Sequence, residues 1–187
     1  VYPPYMGRVT GPMTRTVEDA ALLLNALSRP DARDFMSLPY GSEDYAAGLD
    51  SLEAKGLRIG FLPDMRVGLP VRPEVRAAAQ AAVQALERAG AVVEEIASFL
   101  SADMIQGMCR FFEARSYNDL VALSPERRAK VLPFINEWCT WRANAFTGAQ
   151  VMAAYAQVML MREAAVKACQ PYDFVISPTS PILPYEA

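Results

Sequence analysis

The chain has 187 residues, 52% apolar and 21% charged, which is the composition of a folded protein and not of a disordered one. Its 18 basic and 21 acidic side chains give a net charge of −3, which argues against the clustered basic face that nucleic acid requires. There is no histidine, so a Ser-His-Asp triad, a Cys-His pair and a His-ligated metal are all excluded within this chain.

Residues 1–15 carry three prolines and two glycines and predict an extended, looping start. Thr16 then has the features of a helix N-cap. Its hydroxyl is placed to accept from the N–H of Asp19, and Asp19 itself favours the positive end of the helix. Val17, Ala20, Ala21, Leu24 and Leu27 follow at helical spacing. Pro30 stops the helix at Ser28–Arg29. Residues 30–56 read as a long packed loop. Asp31, Arg33 and Asp34 brace it through local salt bridges and Asx turns.

Residues 57–62, Leu-Arg-Ile-Gly-Phe-Leu, read as a strand. Pro73 suits a first helical position, Val75, Ala79, Ala82, Val83 and Leu86 form a stripe, and Gly90 supplies a left-handed stop. Residues 91–96 read as a second strand. Strand, helix and strand within about 40 residues make a βαβ unit with parallel strands.

Residues 101–169 read as helical throughout. Ser101, Ser124 and Thr147 are the expected caps, with Pro125 at a first helical position. The last helix runs from 148 to about 170. Residues 174–177 are a short buried strand that Pro178 and Pro181 terminate. Strands 58–62, 92–96 and 174–177 are expected in one sheet, with helices 17–29 and 73–89 packed against it. The fold class is α/β, with a mixed, largely parallel sheet flanked by helices and a helical stretch at 101–170. The length suits a single domain, read here as partial.

Cys109, Cys139 and Cys169 lie far apart without CxxC spacing. They read as buried reduced thiols, which suits the cytoplasm, and neither a metal nor a cofactor is expected. No apolar run reaches the 18 residues of a membrane span. Arg127, Arg128 and Lys130 form the one compact basic run and read as a solvated helix face. The chain starts Val-Tyr-Pro-Pro and ends Leu-Pro-Tyr-Glu-Ala, so both ends read as interior to a longer protein.

Four pieces in this order resemble the amidase signature family: GPMTRTVEDAALLLNAL, PDARD with MSLP and KGLRIGFLPD, RPEVRAAAQAAVQALERAGAVVEEI, and PYDFVISPTSPILP. The likeness covers nearly the whole chain. It implies a hydrolase of carboxylic amide C–N bonds that uses a Ser–cis-Ser–Lys triad without a metal. In that family the lysine and both serines precede the GPM-like block, in and before a Gly/Ser-rich stretch. This sequence holds no such stretch, so no catalytic residue is assigned within it.

Ser177, Thr179 and Ser180 are the candidate nucleophiles by residue type, but no lysine or histidine lies near them and turn formation accounts for them. Lys55, Lys130 and Lys167 read as solvated. Residues 101–169 hold most of the aromatic and methionine side chains. Phe111, Phe112 and Trp138 are singled out there as contacts for a small-molecule amide substrate. Arg162 interrupts an apolar helix face and is expected in a structural salt bridge.

Two other readings stand beside this one. The resemblance also admits the glutaminase subunit of a tRNA-dependent amidotransferase, working with partner subunits and an ammonia tunnel. A non-enzymatic α/β module would bind its ligand at the end of the first strand, near residues 64–72, although no glycine-rich phosphate loop follows that strand. An incomplete core would also expose apolar surface and favour a homo-oligomer that covers it.

Overall fold

A computed structural model describes residues 10–34, 36–37, 39, 41, 43–142 and 145–184. The first nine residues of the expected extended start lie outside the described residues, as does part of the PDARD–MSLP block. The chain divides into two compact units, Val1–Glu53 and Ala54–Ala187.

The first unit carries helix α1, Val17–Leu27. Thr16 caps it as expected, its hydroxyl accepting from Asp19 N–H at 3.1 Å. This satisfies one of the four N–H groups that a helix start leaves unpaired. Asn25 holds the later loop: its Nδ2 donates to Asp44 at 2.6 Å and its Oδ1 accepts from Tyr45 N–H at 2.9 Å. The loop is braced as its sequence implied. Arg33 pairs with Asp31 at 2.6 Å, and Asp31, Asp34 and Asp44 each accept from the N–H two residues on. A single 3₁₀ turn, Leu49–Ser51, closes the segment.

The second unit begins with strand β1, Arg58–Phe61, followed by helix α2, Pro73–Arg88, and strand β2, Val92–Glu95. Strand β3, Phe174–Ile176, comes last in the chain. The strand order is β2-β1-β3, and both pairings are parallel. Ile59 stands opposite Val93 on one side and Phe174 on the other. The three expected strands thus lie in one sheet. Ile59, Gly60, Phe61 and Leu62 are all buried, which is why the central strand reads as an unbroken apolar run and not as an alternating one. At Gly60 an added Cβ would come 3.0 Å from the Tyr172 ring, so that ring covers the middle of the sheet. Helix α2 packs beside β2 and buries Val83, and Gly90 (φ 95°) turns the chain from α2 into β2.

Between β2 and β3 run helices α3 (Ala102–Val121), α4 (Pro125–Arg128), α5 (Pro133–Thr140) and α6 (Gly148–Cys169). Helices α3 and α6 form the main helical packing, burying Gly107, Leu120, Ala154 and Val158, and α5 packs on α3. The caps at Ser101, Ser124 and Thr147 each accept from the N–H three residues on. Three expectations need correction. Strand β3 is not buried: it lies at the end of the order β2-β1-β3, where Phe174 is 60% exposed and Val175 and Ile176 are half-buried. The segment between β2 and β3 is not helical throughout: the helix that Ser124 starts lasts four residues, because Pro133 forces Leu132 into an extended conformation and opens α5 instead. The thiols are free but not buried, since Cys109 falls on the exposed side of α3 and Cys139 and Cys169 are half-buried. No described helix is long and apolar enough to cross a membrane.

Candidate functional site

A cleft of about 620 Å³ opens between α3 and α6 in the second unit. Its wall on α3 is Phe111, Ala114, Arg115, Tyr117 and Asn118, all but Tyr117 spaced i, i+3, i+4, i+7 along one helix face. The wall on α6 is Gly148, Val151 and Met152, with the same spacing. Arg142, Ala145 and Phe146 close the third side from the link between α5 and α6. The start of α6 is held firmly. Thr147 and Gln150 make a reciprocal capping box, with Thr147 N–H to Gln150 Oε1 at 2.8 Å and Gln150 N–H to Thr147 Oγ1 at 3.3 Å.

Phe111 meets Tyr155 with ring centroids 5.0 Å apart and Phe112 edge-on at 5.8 Å. Two guanidinium groups lie against Phe146, Arg142 at 4.9 Å and Arg110 at 5.3 Å from the ring centroid. Arg142 also lies 5.6 Å from the Trp141 centroid. Its Nε stands 3.6 Å from Glu113 Oε2, and Arg115 pairs with Asp119 at 2.7 Å along α3. Two cations and no acidic side chain therefore line the cleft among the described residues.

Of the three residues singled out from the sequence, Phe111 lines this cleft and Phe112 supports it from behind. Trp138 does not line it and is 53% exposed on α5. Arg162 is exposed, and among the described residues no carboxylate pairs with it. Arg115, Arg142 and Phe146 are cleft residues that no motif announces. The first is legible in part, from its place four residues after Phe111 on one helix face. The other two sit in a link whose direction no periodicity encodes.

A second cleft, of about 390 Å³, lies at the carboxyl ends of β1 and β3. Leu62, Asp64, Met65, Val71, Ser177 and Thr179 are among its lining residues. This is the position near residues 64–72 where a parallel sheet would receive a ligand. Arg72 N–H donates to Pro181 O at 2.9 Å and ties its two sides together. Asp64 accepts from Arg66 N–H at 2.7 Å and pairs with Arg76 at 3.3 Å. Ser180 acts as a turn former, its hydroxyl donating to Ile182 O and accepting from Ile182 N–H. Lys55, Lys130 and Lys167 are all exposed and none lines the cleft, so among the described residues neither Ser177 nor Thr179 has a lysine beside it to act as base. Among the described residues no cluster of three or more His, Cys, Asp or Glu side chains is placed to hold a metal ion.

The amidase family model matches residues 6–187. Among curated relatives, a glutamyl-tRNA(Gln) amidotransferase subunit of Myxococcus xanthus is 31% identical, over 92% of this chain and 40% of that protein. Among solved structures, a bacterial aryl acylamidase of the amidase signature family superposes with a TM-score of 0.77 at 25% identity, over 94% of this chain and 37% of that one. A 6-aminohexanoate cyclic dimer hydrolase, solved with its substrate, gives a TM-score of 0.53 at 29% identity over 82% of this chain and 33% of that one. The chain thus spans about two fifths of the length of the Myxococcus relative.

Proposed function

The chain belongs to the amidase family, and from that membership we propose that the protein it forms part of hydrolyses carboxylic amide C–N bonds. A serine attacks the amide carbonyl, a cis-serine relays the proton and a neutral lysine acts as the base, the roles that the family resemblance implies. These groups lie outside the present sequence, upstream of the GPM block. The second unit supplies part of the sheet, and the α3–α6 cleft holds the acyl part of the substrate. The observation that carries this reading is the cleft itself, a concavity of about 620 Å³ with Phe111, Phe146, Val151 and Met152 along its walls. That size and lining suit a small apolar or aromatic group. Phe111 is the proposed direct contact, with Phe112 behind it and Trp138 at the periphery.

A second reading is supported by the names of the relatives. Several of the curated proteins similar to this chain are glutamyl-tRNA(Gln) amidotransferase subunits. On that reading the substrate is glutamine and the product ammonia passes to a partner protein. One assay separates the two. The complete protein, purified without partners, is given an acyl anilide and, separately, glutamine. Anilide turnover with a KM that rises in Phe111→Ala supports the first reading. Glutamine hydrolysis that appears only with added partner proteins supports the second. No turnover of either substrate under both conditions leaves a non-catalytic role.

A further inference from the structure

We propose that the α3–α6 cleft selects acyl groups that end in a carboxylate, with Arg142 as the residue that reads it. The inference rests on the amide-hydrolase reading and adds to it the class of acyl group. Three observations converge on it. The cleft is lined by apolar groups and by Arg115 and Arg142, with no acidic side chain among the described lining residues. Arg115 is already engaged, at 2.7 Å, by Asp119. Arg142 is not engaged in the same way.

The Nε of Arg142 is directed toward Glu113, whose Oε2 is buried at 3.6 Å. Among the described residues no carboxylate or carbonyl takes up its two terminal amino groups. The Arg142 side chain is 44% exposed while that of Glu113 is 19% exposed, so the pair presents its cationic end outward and keeps its anionic end behind. The Phe146 ring at 4.9 Å and the Trp141 ring at 5.6 Å support the guanidinium plane. A guanidinium held by rings and by one carboxylate gives up little freedom when its remaining fork takes a second carboxylate. Gly148, the first residue of the 22-residue helix α6, lies on the same wall, so the positive end of that helix borders the same space. An alkyl or aryl body then packs on Phe111, Val151 and Met152 while its carboxylate reaches Arg142.

The test is a calorimetric titration of the complete protein with 4-phenylbutanoate and with 4-phenylbutanol, which share one body and differ in charge. The carboxylate should bind at least about tenfold more tightly, the range of a charge-assisted hydrogen bond. Arg142→Gln should abolish that preference, and Arg142→Lys should keep only part of it, because an ammonium lacks the planar fork. Should Arg142→Gln fail to fold, Met152→Glu on the exposed wall of α6 serves the same end by placing a repelling charge in the cleft. Equal binding of the two probes by the wild type, binding of neither, or a preference unchanged in Arg142→Gln or Met152→Glu would overturn the proposal. Because the readout is binding, it stands apart from catalysis. A retained preference without amide turnover counts against the hydrolase reading alone, and turnover without a preference counts against Arg142 alone.

Discussion

Glu113 on α3 and Arg142 after α5 face each other with 3.6 Å between Oε2 and Nε, and that carboxylate oxygen is buried without a hydrogen bond. The pair joins the α3 wall of the cleft to the α5–α6 link. The two partners are unequal, since Arg142 reaches water and Glu113 largely does not. Arg142→Gln should therefore destabilise the protein by about 1–3 kcal/mol, because it leaves a buried charge without compensation. Glu113→Gln should cost less, because the released guanidinium can be hydrated. Denaturant unfolding of the two variants measures the difference, and equal losses would contradict the inequality of the pair.

Helix starts should respond to the loss of their hydroxyl caps. Thr16→Ala and Thr147→Ala each remove an observed acceptor for the N–H three residues on. Each should cost about 1 kcal/mol, and Thr→Ser at either site should recover most of it. A thermal melt unchanged by Thr147→Ala would mean that the capping box does not hold the α6 wall of the cleft.

The contact between α3 and α6 leaves no room at Gly107. An added Cβ would stand 2.4 Å from Gln157 Cβ and 3.2 Å from Ala154 O. Gly107→Ala should therefore destabilise by about 1–3 kcal/mol despite the better helix propensity of alanine. Gln157→Ala should not rescue it, because the clash is with a Cβ that alanine retains. Rescue by Gln157→Ala would place the constraint elsewhere.

The loop after α1 should loosen on acidification. The Arg33 guanidinium bonded to Asp31 holds that carboxyl well below its ordinary range, and the Asn25 amide lowers that of Asp44. A carboxyl whose pKa is lower in the folded state contributes stability above its unfolded value of about 4 and loses it as pH falls toward the folded one. Carboxyl-carbon NMR titration should give midpoints for Asp31 and Asp44 below those of ordinary aspartates. Ordinary or raised midpoints would contradict the bracing role of both.

What could be read from the chain followed from local rules. A hydroxyl before an apolar stripe marked Thr16, Ser101, Ser124 and Thr147, and all four cap helices. The run Leu57–Leu62 announced a strand, and its place at the centre of the sheet explains why Ile59–Leu62 are all buried. Pro133 carried the same signal as Pro73 and Pro125, so the break before α5 was legible as well. The facing of α5 and of the link beyond it was not. Residue type marks Trp138 as a cleft residue, yet the orientation of α5 leaves it exposed, while Arg142 and Phe146 reach the cleft through tertiary contacts that no spacing encodes. Cys109 failed for a related reason: cysteine is usually buried, but the side of α3 on which it falls is open.

Amide cleavage, on the reading proposed here, depends on a serine lying outside these 187 residues. Mass-spectrometric mapping of a serine-reactive fluorophosphonate on the complete protein locates that serine, because such a probe forms a covalent bond to the activated hydroxyl. One adduct is expected, on a serine upstream of the GPM block, formed in step with loss of amide turnover. An adduct on Ser177 or Ser180, with turnover lost on changing that residue, would show instead that the nucleophile lies within this chain.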